Sequence, residues 1–149
     1  MSGYFTDTIN HVFSEEQAVT ADAISTNVID CQSTPTLRDL GILPMYVEFI
    51  VTETFLTTVD ITFTVESDST ANLATSATVH ASKNITLASG GLAAGQRFVL
   101  AIAPGQTVER YLGVRYNVNT DATAGKVKAY LVPHAAPSIQ YFADGSSIS

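Results

Sequence analysis

Residues 60–67 read Asp-Ile-Thr-Phe-Thr-Val-Glu-Ser, a stretch in which polar and apolar side chains alternate strictly. Because successive side chains of a β-strand point to opposite faces, Ile61, Phe63 and Val65 share one face and the polar side chains share the other. The period of two predicts a half-buried β-strand.

Other segments repeat this strand pattern. Residues 45–54 form a nearly continuous apolar run, which predicts a strand covered on both faces or lying at an interface. Further strands are predicted at 25–31, 77–80, 84–87, 97–102, 110–118 and 126–132. Gly and Pro turn residues separate these segments at spacings of about 8–15 residues. The pattern predicts a single-domain, all-β jelly roll or β-sandwich of about eight antiparallel strands.

The sandwich is predicted to lie between two arms. We assign residues 1–13 to an N-terminal arm, residues 14–132 to the sandwich and residues 133–149 to a C-terminal tail. At the start of the sandwich, Ser14 can cap a short helical turn, because Gln17 follows three residues later. Apolar side chains in both arms either fold back over the edges of their own sandwich or reach partner subunits.

The composition supports a sheet protein and excludes some partners. Charged residues make up only 14% of the chain, against about 25% in typical domains, and Thr, Ser and Ala supply about a third. Thr suits an exposed strand face because its branched side chain packs well on a pleated surface. The net charge is −7, with seven scattered basic residues. We therefore expect no binding to nucleic acid or to an anionic membrane.

The cellular context follows from the cysteine content and the N-terminal sequence. Cys31 is the only cysteine, so it cannot form a disulfide within the chain. Residues 1–10 lack the basic and apolar regions of a secretory signal, and no apolar run is long enough to span a membrane. These features predict synthesis in a cytosol.

Motifs for catalysis and metal binding are weak. His11, His80 and His134 are far apart and have no acidic or cysteine neighbour at ligand spacing, so we expect no metal and no cofactor. The glycine-rich segment 90–95 leads into a predicted strand and not into a helix, which favours a turn over a phosphate-binding loop. We expect no enzymatic activity.

Six short motifs occur in a specific order and spacing. They are Phe-Ser-Glu-Glu-Gln-Ala at 13–18, Ser-Thr-Asn-Val-Ile-Asp at 25–30, Arg-Asp-Leu-Gly at 38–41, Ala-Gly-Gln-Arg-Phe at 94–98, Arg-Tyr-Leu-Gly-Val-Arg-Tyr at 110–116 and Thr-Ala-Gly-Lys-Val at 123–127. Together these motifs resemble the jelly-roll capsid cement, or decoration, proteins of tailed phages, the type first described from a Bordetella phage. The resemblance extends over most of the chain.

The resemblance implies a structural virion protein, made in the host cytoplasm. It implies a homotrimer on the capsid exterior that binds the major capsid protein at subunit junctions, needs no cofactor and stabilises the shell against the pressure of packaged DNA. The charged pair Arg38 and Asp39 would contact the shell from a loop, next to the apolar anchors Ile42 and Leu43. The remaining candidate contacts are Tyr141 and Phe142, which interrupt the polarity of the tail.

An alternative function is a receptor- or carbohydrate-binding β-sandwich domain of a phage fibre or head. That function requires an exposed aromatic or acidic pocket, and no such pattern stands out in the sequence. The chain contains no Trp for a sugar-stacking platform.

Overall fold

The fold is seen in a computed structural model, which describes residues 12–31 and 45–132. These residues form two facing antiparallel sheets, and they include one turn of 3-10 helix, Leu87–Ser89, but no α-helix. The strands are β1 (Val12–Ala18), β2 (Ala23–Ile24), β3 (Ile29–Asp30), β4 (Met45–Leu56), β5 (Asp60–Asp68), β6 (Thr78–Thr86), β7 (Arg97–Ile102), β8 (Tyr111–Asn119) and β9 (Ala124–Val132). The predicted all-β sandwich is confirmed.

The chain crosses repeatedly between the two sheets. The four-stranded sheet has the order β1-β9-β4-β7, and the second sheet has the order β2-β8-β5-β6, with β3 also paired to β8. Because β2 and β3 pair with successive parts of β8, they form one interrupted edge strand. The result is a jelly-roll connectivity, in which most neighbouring strands are distant in the sequence.

An aromatic cluster joins the two sheets. Phe49 on β4 stacks on Phe98 of β7 with ring centroids 4.9 Å apart. Phe63 on β5 meets the edge of Phe98 at 4.8 Å and of Tyr116 on β8 at 5.7 Å. Edge-to-face and offset-stacked rings add about 0.5–1.5 kcal/mol per pair beyond the burial of their area. This cluster fixes the spacing between the sheets.

Strand β5 is more buried than its alternation predicted. Ile61, Phe63 and Val65 face the core as expected, and each is fully buried. However, Thr64 and Glu66 on the opposite face are only 6% and 5% exposed, so the prediction of a half-buried strand is wrong. The cause is a loop over residues 69–77 that lies across this face, as described below.

The predicted helical turn over residues 14–17 is also wrong, because these residues belong to β1. Ser14 Oγ does donate to Gln17 Oε1 at 2.7 Å, but it does so in a strand with a register shift between these two residues. Pairing with β9 supplies backbone partners for this segment, and Phe13 enters the core fully buried. Tertiary packing therefore overrides the local capping signal.

Several strand boundaries differ from the sequence prediction. The predicted strand at 25–31 contains only the two-residue β3, and the predicted strands at 77–80 and 84–87 are parts of the single strand β6. Strand β1 begins at Val12, so Val12 and Phe13, assigned to the arm, are buried in the sandwich. The rest of the predicted arms lies outside the described residues.

Gly125 is required by the close approach of β9 to Phe55. Its φ is +143°, and a Cβ added there would lie 2.1 Å from the Phe55 ring, which is fully buried. We expect Gly125→Ala to lower the free energy of unfolding by about 3 kcal/mol, because overpacking and backbone strain act together. Urea unfolding measures this loss.

Gly95→Ala is the matched control. Gly95 also has a positive φ, +93°, but an added Cβ would meet nothing within 4 Å. We expect this variant to lose only about 1 kcal/mol, from backbone strain alone. Equal losses in the two variants would contradict a steric role for Phe55.

Candidate interaction surface

The six candidate contact residues from the sequence lie outside the described residues. Arg38, Asp39, Ile42 and Leu43 fall between residues 31 and 45, and Tyr141 and Phe142 follow residue 132. Their role stays a prediction. The described residues present four surfaces, the two outer sheet faces and the two long sides of the sandwich.

Loops cover one part of the outer face of the five-stranded sheet. A Cβ at Gly113 on β8 would lie 2.9 Å from the side chains of both Leu73 and Val28. Leu73 belongs to the loop between β5 and β6, and Val28 belongs to the segment between β2 and β3, so both connections pack on this glycine. Arg115 Nε donates to Glu66 Oε2 at 2.9 Å, and Arg115 Nη2 donates to the carbonyl oxygen of Leu73. The loops therefore cover the part of this face around Glu66, Gly113 and Arg115, whereas Ser82, Asn84 and Asn117 on the same face stay exposed.

Asp68 anchors the covering loop. Its carboxylate accepts backbone N–H bonds from Thr75 and Ser69, both at 2.6 Å, and from Thr70 at 3.4 Å. Burial by itself would raise the pKa of Asp68, but the hydrogen bonds, of which that from Thr75 is the strongest, outweigh it and hold the pKa below its ordinary value. The carboxylate is therefore charged at neutral pH.

One long side of the sandwich is closed by hydrogen bonds between the sheets. Asn27 N–H donates to the Phe13 carbonyl at 2.9 Å. Gln17 donates from Nε2 to the Ile24 carbonyl at 2.8 Å and accepts from Thr26 N–H at 2.9 Å. These contacts cover the edge of β1 and leave little of it free for other chains.

The described residues leave the opposite long side open. Strands β6 and β7 are the edge strands of their sheets, and they lie beside each other with a groove of about 330 Å³ between them. We call this the β6–β7 groove. Its lining residues are mostly polar and come from β6, β7 and the connection between them. They are Lys83, Asn84, Ile85, Thr86, Ser89, Gly91, Gln96, Arg97 and Phe98.

Lys83 is the unusual charge in the groove. It pairs in register with the buried Phe63, so it lies on the core side of β6, and its Nζ is 5.5 Å from the centroid of the Phe98 ring. Among residues 12–31 and 45–132, it is the one Lys or Arg without a carboxylate partner in that part of the chain. Each of the other five described Lys and Arg residues forms an ion pair: Arg97–Glu48, Arg110–Asp30, Arg115–Glu66, Lys126–Glu53 and Lys128–Glu15.

The outer face of the four-stranded sheet contains a buried acid. Glu48 is 1% exposed, accepts a hydrogen bond from the Tyr130 hydroxyl at 2.7 Å and lies 3.1 Å from Arg97 Nη1. Burial raises the pKa of Tyr130 to about 12, and the bond to the Glu48 carboxylate adds to the effect. The Tyr130 hydroxyl therefore keeps its proton at neutral pH and donates the hydrogen bond to Glu48. This pair holds Arg97 at the rim of the β6–β7 groove.

One cluster has the order of groups found in nucleophilic catalysis. His80 Nε2 lies 2.7 Å from Ser67 Oγ, and His80 Nδ1 lies 2.9 Å from Gln106 Oε1. However, Ser67 is fully buried, and its oxygen also accepts the Glu109 N–H at 2.9 Å. A buried oxygen that is already engaged offers no path to a substrate, so the cluster fits a structural role, fastening the turn before β8 to β6.

Sequence reasoning missed the β6–β7 groove because it divided β6 into two short strands. Had 78–86 been predicted as one strand, the period of two would have placed Lys83 on the same face as Ile85 and next to the core. A lysine on the inward face of a strand is a recognisable signal of an edge.

The described residues show neither a metal-binding cluster nor a membrane-spanning helix. In the ranges 12–31 and 45–132, no group of three or more His, Cys, Asp or Glu side chains is placed to hold a metal ion. In the same ranges, no helix has the length and apolar character needed to cross a membrane.

Comparison with known proteins gives one match. A family model described as Bbp16 matches residues 13–131, which is well over half of the chain. No curated protein matches the sequence.

The Glu48–Tyr130 bond predicts a specific loss of stability. We expect Tyr130→Phe to lower the free energy of unfolding by about 1–3 kcal/mol, because a buried carboxylate loses a donor. Urea unfolding at neutral pH is the measurement. Tyr46→Phe is the control, since Tyr46 lies on the same sheet face and its hydroxyl has no hydrogen bond within the described residues. A loss as large in Tyr46→Phe would contradict this role of the bond.

The anchoring of Asp68 predicts an acid-dependent stability. Since its folded pKa is lowered, its contribution is present above the ordinary value of 3.8 and is lost as the pH falls from there through the folded pKa. We expect Asp68→Asn to be less stable than the natural protein at pH 7, with the difference shrinking below pH 3.8. Unfolding measured across this pH range tests it, and a constant difference would contradict it.

Proposed function

Because the chain belongs to the Bbp16 family, a family associated with bacteriophages, we propose that it is a capsid cement protein of a tailed phage. In this role it binds the outer surface of the major capsid protein shell as a homotrimer. The proposal starts from the association of the family with phages and from the β-sandwich fold. The cement role, the trimer, the capsid partner and the position on the capsid exterior are the proposal.

The observation that supports this function best is a rigid jelly roll with one long side closed and the other open. A cement protein needs a stiff body that does not deform under load, and the interlocked aromatic core provides one. It also needs surfaces that remain available to a partner, and the β6–β7 groove is one that the described residues leave unfilled.

The mechanism is physical and not chemical. A head filled with DNA strains the seams between neighbouring coat subunits. A trimer that contacts several subunits at once adds contact area that is lost when the subunits separate, and linked contacts raise one another's effective concentration. A protein that binds only the assembled shell stabilises that state by mass action.

We also propose that the protein has no catalytic activity and needs no cofactor. The Ser67 and His80 pair has the groups of a nucleophile and a base, but it is inaccessible because Ser67 is buried. Carboxylates such as Glu48 and Glu66 are engaged in ion pairs within the sheets.

Binding to empty, expanded capsids is the decisive measurement. We expect the purified protein to bind coat shells that lack it, to saturate at a fixed ratio to the coat protein, and to raise the temperature at which particles disrupt. Light scattering on the free protein gives the number of copies in its assembly. Saturable binding to host cells or glycans, with none to shells, would contradict the cement role and favour a receptor-binding domain.

A further inference from the structure

We propose that the β6–β7 groove binds an extended acidic segment of the coat protein, with a carboxylate placed at Lys83. This inference rests on the proposed function and assigns the attachment to a particular place on the sandwich. It concerns a side of the molecule that is separate from the six contact residues predicted from the sequence.

The backbone of the groove suits an extended segment. Within residues 12–31 and 45–132, β6 pairs only with β5 and β7 only with β4, so the described strands leave N–H and C=O groups unpaired along the other edge of each. An incoming strand gains main-chain hydrogen bonds at such an edge, and pockets for its alternate side chains give selectivity. On the closed side near β1, hydrogen bonds from Asn27 and Gln17 already bridge the sheets.

The charges of the groove favour an acidic residue. The protein has a net charge of −7, so most of its surface repels acidic segments. Lys83 differs from that surface because it is a cation with no carboxylate partner within the described residues. The half-exposed guanidinium of Arg97, paired with Glu48, lines the same groove. A partner carboxylate would find at Lys83 a cation that is already positioned against the Phe98 ring.

A second explanation for Lys83 makes a different prediction. Inward-facing charges on edge strands prevent chains from pairing edge to edge, and Lys83 occupies such a position. Protection of this kind depends on the presence of a charge and not on its sign. Reversing the charge therefore separates the two explanations, since glutamate still protects an edge but repels a carboxylate.

The experiment compares Lys83→Glu with Lys126→Glu in binding to coat shells. Both variants change the net charge equally, but Lys126 lies on the four-stranded sheet near Glu53, away from the groove. We expect Lys126→Glu to bind like the natural protein and Lys83→Glu to bind at least about tenfold more weakly, since charge reversal opposes a close carboxylate. Lys83→Arg should retain binding.

Two further measurements keep the test decisive. Urea unfolding of each variant shows whether the sandwich is intact, and Lys83→Gln replaces Lys83→Glu if the charge reversal prevents folding. We expect Lys83→Gln to weaken binding and to make it less sensitive to added salt, because one charged contact is gone.

The outcomes distinguish the inference from the proposed function. Equal shell binding by Lys83→Glu and Lys126→Glu would overturn the groove proposal and leave the cement role intact. Failure of the natural protein to bind shells would overturn both. A change in the number of copies in the free assembly of Lys83→Glu, with unchanged shell binding, would reassign the groove to contact between copies and also overturn the proposal.

Discussion

The contact between the Phe63 and Phe98 rings is the constraint on which the structure depends. Phe63 comes from the five-stranded sheet and Phe98 from the four-stranded sheet, and their edge-to-face contact sets the distance at which the two sheets face each other. Phe98 is also the ring beneath Lys83, so the residue that completes the core forms part of the β6–β7 groove. Core packing and the proposed binding site are therefore coupled through one side chain.

The sandwich is asymmetric, and the asymmetry has a physical cause. Polar side chains of Ser14 and Gln17 fasten β1 to the opposite sheet, and Asp68 folds a loop over the five-stranded sheet. Each of these contacts removes a surface from use by partners. The β6–β7 side receives no such covering from the described residues, which leaves its two strand edges and one cation available.

The sequence predicted what depends on local pattern. Strand β7 was predicted at its observed boundaries, and β4, β5 and β9 within about two residues, because strong alternation or apolar runs identify a strand without knowledge of its partners. The prediction of a helical turn at residues 14–17 failed because the local capping signal competed with pairing to β9, which is more than a hundred residues away in the sequence. The burial of Glu66 could not be foreseen, since it depends on Arg115 and a distant loop. The β6–β7 groove was not predicted at all. The inward position of Lys83 indicates a binding site only when β6 is known to be an edge strand, which depends on the sheet order.

The pairing of the first strand with the last has a consequence for synthesis. Strand β9 lies between β1 and β4, so the four-stranded sheet has a gap at its centre until residues 124–132 are available. While the chain is still on the ribosome, β1 has no sheet partner and one edge of β4 is uncovered. Folding must therefore wait until nearly the whole described region has emerged, and a nascent chain exposes aggregation-prone strand edges for that time. At about 5–20 residues per second this exposure lasts on the order of ten seconds for 149 residues, and it ends once β9 can pair with β1 and β4.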